Sequence, residues 1–281
     1  MTRIHLHLVS DSTGETLEML AKAALARFEN AEVQRHFWPM VRSRQHLDRI
    51  VPELTANPGL VFYTLVNTET RARLEEHCRL LGLPAVPVLD QVVGALETAL
   101  GQAAHGRPGR QHFMDEAYFR RVDAIQFTIA HDDGIGEEDW EGADIVLAGV
   151  SRSSKTPTSI YLANRGYKVA NIPLVIESPP SPTLFGLKSP LVVGLTSAPE
   201  RLVQIRRNRL LTLGEMQRTD YVDDERVRAE LAFARRMFAD RGWPVIDVTR
   251  RSIEETAAAV IRLLGERERG APSEFEGVRA I

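Results

Sequence analysis

A chain of 281 residues with 43% hydrophobic content is long enough for one large or two ordinary domains with well-formed cores. Its 35 basic and 38 acidic residues are mixed along the chain and leave a net charge of -3, so no nucleic-acid partner is expected. Cys78 is the only cysteine, which excludes an intrachain disulfide or cysteine metal site and favours a buried apolar role in a reducing compartment.

The sequence argues against both a secretory signal and a membrane span. Its N-terminus turns polar after nine residues, and its longest apolar runs, such as "LVFYTLV", are strand-sized. A helix that crosses a bilayer needs roughly 20 apolar residues. We therefore expect a cytoplasmic protein with no membrane partner.

In the first half of the chain, short apolar segments alternate with longer amphipathic ones, which is typical of α/β units with a mainly parallel sheet. Helical spacing in the segment 13–28 puts six apolar residues on one face, namely Leu17, Leu20, Ala21, Ala24, Leu25 and Phe28. The predicted strands are 3–9, 32–38, 59–66 and 84–90, and the predicted helices are 13–28, 43–55, 68–81 and 90–103.

The stretch "AAHGRPGRQHF", residues 103–113, combines glycines and a proline with little apolar content, so it is predicted to connect two domains. We expect a Rossmann-like parallel α/β domain over residues 1–105. A P-loop-containing α/β domain of the kinase type is expected over residues 106–281.

The second half begins with a segment, 116–134, whose apolar residues Tyr118, Val122, Ile125 and Ile129 have helical spacing. A strand is the alternative there, because Ile125, Phe127 and Ile129 also alternate. The proline-rich segment 178–186 is predicted to be a loop, and the last dozen residues are expected to be loosely held. The remaining predictions are strands at 144–149, 168–175, 190–196 and 244–249, and helices at 155–164, 198–211, 223–242 and 252–266.

The stretch "GVSRSSKTPTS", residues 149–159, lies between an apolar strand and a helix. A phosphate-binding P-loop has the form GxxxxGK followed by Ser or Thr in that context. Ser154 departs from the pattern, because it stands where the second glycine is expected, and a Ser-rich helix cap is the alternative interpretation. The predicted phosphate-binding residues are Gly149, Val150, Ser151, Arg152, Ser153, Ser154, Lys155 and Thr156.

Three side chains of this stretch have specific chemical roles to offer. Lys155 can neutralise phosphate charge, and the Thr156 hydroxyl can bind a magnesium ion that bridges two phosphates. Arg152 can hold a phosphate with two parallel hydrogen bonds, although an exposed arginine without a ligand is equally compatible with the sequence.

A second polar cluster, "SDSTGET" at residues 10–16, follows the first predicted strand. Ser10, Ser12, Thr13 and Gly14 could hold an anion where a helix begins. The alternative is a capping box between Ser12 and Glu15, which would need no ligand.

The stretch "AHDDG", residues 130–134, places Asp132 and Asp133 side by side. Phosphoryl transfer requires a carboxylate that holds magnesium and often another that orients or deprotonates the attacking hydroxyl. A simple turn is the alternative, because Asp and Gly favour turns.

A basic cluster, "RLVQIRRNRL" at residues 201–210, puts Arg206, Arg207 and Arg209 on one predicted helix. One of the three could clamp a bound phosphate, and a solvated basic face is the alternative.

These pieces together resemble the bifunctional kinase/pyrophosphorylase proteins that regulate pyruvate, phosphate dikinase or phosphoenolpyruvate synthase. The resemblance extends over nearly the whole chain, through "SDSTGET", "AHDDG", "GVSRSSKTPTSIYLAN", "ANIPLV", "GLTSAPERLVQIRRNRL" and "SIEETA". It implies phosphorylation of a threonine of the target enzyme with ADP as donor, and removal of that phosphate by inorganic phosphate with release of pyrophosphate. Within this resemblance, residues 149–156 are the ADP site, and Ser154 before the lysine indicates the dikinase as target.

The resulting hypothesis assigns the ADP phosphates to Lys155 and the loop, with magnesium held by Thr156 and Asp132 or Asp133. The other carboxylate would act as the base, and Asp11 is the rival base. Phosphoenolpyruvate synthase as target, a small-molecule P-loop kinase and a non-catalytic nucleotide sensor are the alternatives. A GTPase is disfavoured, because no NKxD stretch follows the loop. A homodimer is compatible with the sequence, which does not determine the oligomeric state.

Overall fold

The computed structural model describes residues 4–30, 32–104, 116–213 and 220–270. Contacts divide the chain into two compact units, Met1–Phe113 and Met114–Ile281. Most of the predicted connection 103–113 and the C-terminal residues from 271 onward lie outside the described residues. Within the described ranges, no helix combines the length and apolar character that a bilayer crossing requires.

The first unit is a mixed α/β unit with one parallel sheet of four strands in the order β2-β1-β3-β4. The strands β1 and β3 are the central pair. The connection after β1 leads to β2 on one side of this pair, and the connection after β3 leads to β4 on the other side. Ligands of such sheets bind beyond the carboxyl ends of the strands at this point of reversal. Its elements are β1 Ile4–Ser10, α1 Glu15–Leu25, β2 Val33–Trp38, α2 Arg44–Ala56, β3 Leu60–Thr64, α3 Thr68–Leu81, β4 Ala85–Pro87 and α4 Asp90–Leu100.

Most local predictions for this unit are confirmed, including the burial of Cys78, but two details are wrong. Phe28 lies beyond the end of α1 and is 67% exposed, so it does not belong to the buried face of that helix. The Ser12–Glu15 capping box is absent, because the N-cap of α1 is Gly14 in a left-handed conformation with no side-chain cap. A capping box therefore does not account for the polar residues of the cluster 10–14.

The second unit contains a parallel four-stranded sheet in the order β6-β5-β7-β8. All residues of β5 and β7 are buried, which explains their continuous apolar sequences. The point of reversal lies between β5 and β7. Its elements are α5 Glu116–Ala130, β5 Ile145–Gly149, α6 Lys155–Ala163, β6 Val169–Pro173, α7 Pro182–Gly186, β7 Leu191–Thr196, α8 Pro199–Leu213, α9 Asp224–Arg241, β8 Val245–Asp247 and α10 Ile253–Glu268.

The α/β class is confirmed, and so are the strand and helix predictions for most of this unit. Segment 116–130 is a helix rather than a strand, but it buries Ala124 and Thr128, while Ile129 is 63% exposed. The prediction of a loop over 178–186 is wrong at its end, where α7 forms. Ser181 caps this short helix and Pro182 occupies its first turn, where the missing N–H costs nothing.

Candidate phosphate-binding site

The segment 149–156 joins the central strand β5 to the start of α6. It lies at the carboxyl end of the strands, beside the point of reversal between β5 and β7. Gly149 is required at the end of β5 for steric reasons. A Cβ atom at this position would lie 2.7 Å from both the Leu195 carbonyl oxygen and the Ser153 hydroxyl. The segment therefore turns tightly against the neighbouring strand β7.

The turn contains two residues in the left-handed backbone region, Arg152 at φ 70° and Ser154 at φ 65°. Ser154 is the N-cap of α6, and its side chain forms no capping hydrogen bond. The serine thus adopts the conformation that the glycine of a P-loop would favour. Ser154 is compatible with the loop geometry, although a non-glycine residue is strained there. The alternative of a serine side-chain cap is wrong for Ser154.

Ser153 and Lys155 stabilise this turn from inside. Ser153 is fully buried, and its hydroxyl donates to the Val150 carbonyl oxygen at 2.9 Å. The Lys155 ammonium donates to the same oxygen at 3.1 Å. Both side chains therefore stabilise the turn from its buried side. Arg152 and Thr156 of the same segment are exposed.

Lys155 is an unusual lysine because only 5% of it is exposed. Burial lowers its pKa to about 8, although the nearby Asp133 and Asp132 carboxylates favour the charged ammonium. A buried ammonium with this environment is strongly attracted to an anion that approaches the turn.

Thr156 and Asp132 form the second part of the site. The Thr156 hydroxyl donates to the Asp132 carboxylate at 3.2 Å. Asn171, a buried residue of β6, donates from its side-chain amide to Asp132 and, at 3.4 Å, to Thr156. These contacts bring together a hydroxyl and a carboxylate that are separated by 24 residues in the sequence.

Asp133 follows in a left-handed conformation, at φ 53°, within a short 3-10 helix over Asp132–Gly134. Its backbone N–H donates to the Asn171 side-chain oxygen at 3.2 Å, and its carboxylate is exposed. The two neighbouring carboxylates therefore differ, because Asp132 is paired with Thr156 and Asp133 faces solvent.

His131 anchors this acidic turn. It is buried, stacks on Phe127, and its Nδ1 donates to the Phe127 carbonyl oxygen at 2.7 Å. Its own carbonyl oxygen accepts from the Asn171 backbone N–H at 3.1 Å. His131 thus connects the turn to β6, and its Nδ1 is already used in the hydrogen bond to Phe127.

Of the three arginines on α8, only Arg206 is buried, with 1% of its surface exposed. Its guanidinium donates to the Ser151 carbonyl oxygen at 3.2 Å and to Glu230 at 2.5 Å. It also lies over the ring of Tyr221, whose hydroxyl hydrogen bonds to the Ser151 side chain at 3.0 Å. Arg206 therefore holds the backbone of the turn, and its charge is paired with Glu230.

Asp11 lies in the first unit, after β1. It is buried, and its carboxylate accepts from the Val66 N–H at 2.7 Å, so it joins the chains that follow β1 and β3. Burial raises its pKa, against the effect of the Val66 hydrogen bond. The Arg42 side chain donates to the Asp11 carbonyl oxygen at 2.7 Å. The predicted cluster 10–14 thus lies at the point of reversal of the first sheet.

Three residues of the site, Asn171, Tyr221 and Glu230, were not predicted from the sequence. Asn171 interrupts an otherwise apolar buried strand, which is the one sequence signal that could have identified it. Tyr221 and Glu230 carry no such signal, because an exposed tyrosine or glutamate would look the same.

The described residues include no group of three or more His, Cys, Asp or Glu side chains suited to a metal ion. Thr156 and Asp132 nevertheless offer two adjacent hard oxygen atoms. Such a pair fits Mg²⁺, which keeps several waters and takes further ligands from substrate phosphates. The site therefore suits a metal that arrives with a nucleotide.

Comparison with known proteins identifies close relatives. The family model described as kinase/pyrophosphorylase matches residues 6–261. A protein of Erythrobacter litoralis is 78% identical over 267 residues, which are 95% of this chain and 96% of the relative. A protein of Novosphingobium aromaticivorans is 72% identical over 281 residues and the full length of both chains. One from Caulobacter vibrioides is 53% identical, covering 94% of this chain and 84% of the relative. All three are named as pyruvate, phosphate dikinase regulatory proteins.

Proposed function

Because the chain belongs to the kinase/pyrophosphorylase family, we propose that it phosphorylates a threonine of pyruvate, phosphate dikinase with ADP as donor. In the reverse regulatory step it removes that phosphate with inorganic phosphate as acceptor. The names of the relatives support the dikinase as target. The chemistry with ADP and phosphate is the one that the sequence resemblance implies.

One observation carries the proposal. The buried Lys155 begins α6 at the turn 150–154, and the paired Thr156 and Asp132 lie beside it. Backbone N–H groups at a helix start, a lysine and a magnesium-binding hydroxyl are the parts of a P-loop. We assign residues 149–156 as that loop, in a P-loop-containing unit, and the first unit as Rossmann-like.

In the proposed kinase reaction, Lys155 and the N–H groups of the turn bind the ADP phosphates. Thr156 and Asp132 would hold Mg²⁺, which neutralises phosphate charge when bound. Asp133, as the exposed carboxylate, orients the threonine hydroxyl and takes its proton as the oxygen attacks the β-phosphorus. The bond to the α-phosphate oxygen breaks and AMP leaves.

The reverse step uses the same groups. An oxygen of inorganic phosphate attacks the phosphorus of phosphothreonine, and pyrophosphate forms as the bond to the threonine oxygen breaks. Asp133 returns a proton to that oxygen. Positioning and charge neutralisation supply most of the catalysis in such transfers. Asp11 remains the rival base, and the cluster 10–14 is the alternative holder of inorganic phosphate.

The test is incubation of the chain with ADP and phosphorylated dikinase, followed by mass analysis of the threonine residues of the dikinase. The proposal expects phosphothreonine with ADP. Lys155→Ala should lower the rate by about 100-fold or more, the usual cost of removing a group that stabilises transferred charge. The matched control is Lys188→Ala, which removes an exposed lysine and should leave the rate unchanged.

Other outcomes of this test correspond to the alternative functions. Phosphoryl transfer from ATP to a metabolite, with none to the dikinase, would indicate a small-molecule kinase. ADP binding without turnover would indicate a nucleotide sensor. Transfer to phosphoenolpyruvate synthase in place of the dikinase would retain the chemistry and change the target.

A further inference from the structure

A second candidate binding site lies in the second unit, in a cleft of about 600 Å³ between α5, α6 and α10. It is lined by residues of the first half of α5, by the chain that follows α6, and by Ile261 of α10. These residues lie near the end of α6 and before the start of β6, whereas the turn 150–154 precedes α6. The cleft is therefore at the amino-terminal end of the strands, whereas the site described above is at their carboxyl end.

Three arginines line this cleft, Arg120, Arg121 and Arg165. Within the described part of the chain, none of them forms an ion pair, whereas Arg71, Arg73, Arg206, Arg226, Arg228 and Arg262 each have a carboxylate partner. Asp123, a carboxylate of α5, is paired with Lys168 at 2.7 Å. The cleft thus concentrates positive charge in a chain whose net charge is -3.

Two of the three arginines contact neighbouring residues before any ligand binds. Arg165 lies 4.9 Å over the ring of Tyr161 and donates to its hydroxyl at 2.7 Å. The aliphatic part of Arg121 lies close to Gly166, since a Cβ atom there would be 3.9 Å from it. Stacking such as that of Arg165 on Tyr161 restricts the side-chain rotamers and reduces the entropy lost on binding.

The lining also offers a neutral donor and an apolar surface. The Tyr167 hydroxyl has no hydrogen-bond partner among the residues that the structure describes, and Ile261 contributes an apolar wall. Arginine guanidinium groups cannot lose their proton and match phosphate oxygens in pairs of hydrogen bonds. The volume of the cleft falls within the range of about 300–1,000 Å³ that small-molecule sites occupy.

We propose that this cleft binds a small ligand with adjacent phosphate groups, held by Arg120, Arg121 and Arg165 and by the Tyr167 hydroxyl. The ligand is a free diphosphate or the diphosphate of a nucleotide, which share this chemistry. The proposal is independent of the proposed function, because none of these residues belongs to the turn 150–154 or to its acidic partners.

The test is calorimetric titration of pyrophosphate, and separately of ADP, into the Lys155→Ala chain at about 50 mM salt, where screening is weak. The Lys155 substitution reduces binding at the turn, so that the cleft dominates the signal. Pyrophosphate binding is expected in this background. Arg120→Ala with Arg121→Ala should weaken it about tenfold or more, because two charge-assisted contacts are lost.

The matched control is Arg27→Ala with Arg49→Ala, two exposed arginines of the first unit whose loss changes the net charge equally. This control should leave binding within about twofold, as expected for a remote surface charge at moderate salt. Stronger binding of ADP than of pyrophosphate would assign the nucleotide, and the reverse would assign the free diphosphate. Equal weakening by both pairs, or no binding of either probe to the Lys155→Ala chain, would overturn the proposal.

Discussion

Lys155 is the residue on which the proposed phosphate site depends, because it is a buried ammonium held near two carboxylates at the start of a helix. Burial brings its pKa to about 8, within the range of ordinary experiments. Only the charged ammonium attracts phosphate, so the fraction of charged Lys155 limits ADP binding in the free protein.

We therefore expect ADP affinity to fall as the pH rises through about 8. Between about pH 7 and pH 9 the dissociation constant for ADP should increase by about tenfold. The reason is that the charged fraction of Lys155 falls from about nine-tenths to about one-tenth over this range. Titration calorimetry across this range measures it. The Lys155→Ala chain should lack the dependence, and an equally steep dependence in that variant would assign it to another group.

The two neighbouring aspartates are expected to respond differently to substitution. Asp132 is hydrogen bonded to Thr156, so Asp132→Asn should lower the transfer rate and raise the magnesium concentration required for half-maximal activity. Asp133→Asn should lower the rate by about 100-fold, the common contribution of a general base, without changing the magnesium requirement.

The exposed Asp139, in the next short helix, supplies the control for both substitutions. Asp139→Asn should leave rate and magnesium requirement unchanged. Unaltered rates in both Asp132→Asn and Asp133→Asn would refute the assignment and point to Asp11 as the base.

At the scale of elements, the junction of β5 and α6 combines a helix start with a left-handed residue, Ser154. Ser154→Gly removes the strain, and stability should stay within about 1 kcal/mol, because greater freedom of the unfolded chain opposes the gain. Ser154→Val should cost about 1–3 kcal/mol, since a β-branched residue is strongly disfavoured at positive φ. Denaturant unfolding of both variants measures this difference. Equal stability of the glycine and valine variants would show that the left-handed geometry is wrong.

The pair β1 and β2 carries a buried histidine whose protonation state is determined by its neighbours. The Trp38 indole N–H donates to His7 Nδ1 at 3.2 Å, so the His7 proton lies on Nε2 and donates to the Asn57 carbonyl oxygen at 2.8 Å. Burial lowers the pKa of His7 below 6.5, against the opposing effect of its hydrogen bond to the Asn57 backbone. The neighbouring His36 and His5 lower the pKa further, and Glu53 opposes them. The folded state therefore favours neutral His7.

A depressed pKa in the folded state contributes stability above the unfolded value of 6.5, and this contribution is lost as the pH falls below it. The free energy of unfolding should thus decrease from about pH 7.5 to about pH 5. His7→Gln should cost about 1–3 kcal/mol at the higher pH, because buried hydrogen bonds are lost, and the cost should shrink at the lower pH. His77→Gln, on α3, is the control. A cost that stays constant with pH would contradict the neutral state of His7.

Sequence patterns predicted the elements well where one local period dominates, as in α3 and α10, whose ends also carry recognisable caps. They also located the turn 150–154, because strand, turn and helix follow one another in the chain. Asn171 was missed, since its partners Asp132 and Thr156 lie 39 and 15 residues away, after α5 and at the start of α6, and meet it only in the folded unit. The sequence could not distinguish Arg206 from Arg207 and Arg209. Which of the three is buried depends on how α9 packs against α8.

At the scale of the whole molecule, the two units repeat one topology, with strand orders β2-β1-β3-β4 and β6-β5-β7-β8. In each unit, the first central strand leads through a polar turn to a helix whose N-cap is left-handed, Gly14 in one and Ser154 in the other. The sequence shows no internal repeat, because the packing of each sheet can be satisfied by different apolar residues. Each unit thus has a polar turn at the position where α/β sheets bind ligands. The proposed chemistry uses two phosphate-containing substrates, ADP and inorganic phosphate.

The proposed function requires the phosphates of ADP to bind at the turn 150–154. A crystal structure of the chain with ADP and Mg²⁺ tests it most directly. We expect a diphosphate in contact with the backbone N–H groups of residues 151–156, with the Lys155 ammonium on a phosphate oxygen and the metal between Thr156 and Asp132. A diphosphate bound elsewhere, with the Lys155 ammonium in contact only with the Val150 carbonyl oxygen, would contradict it.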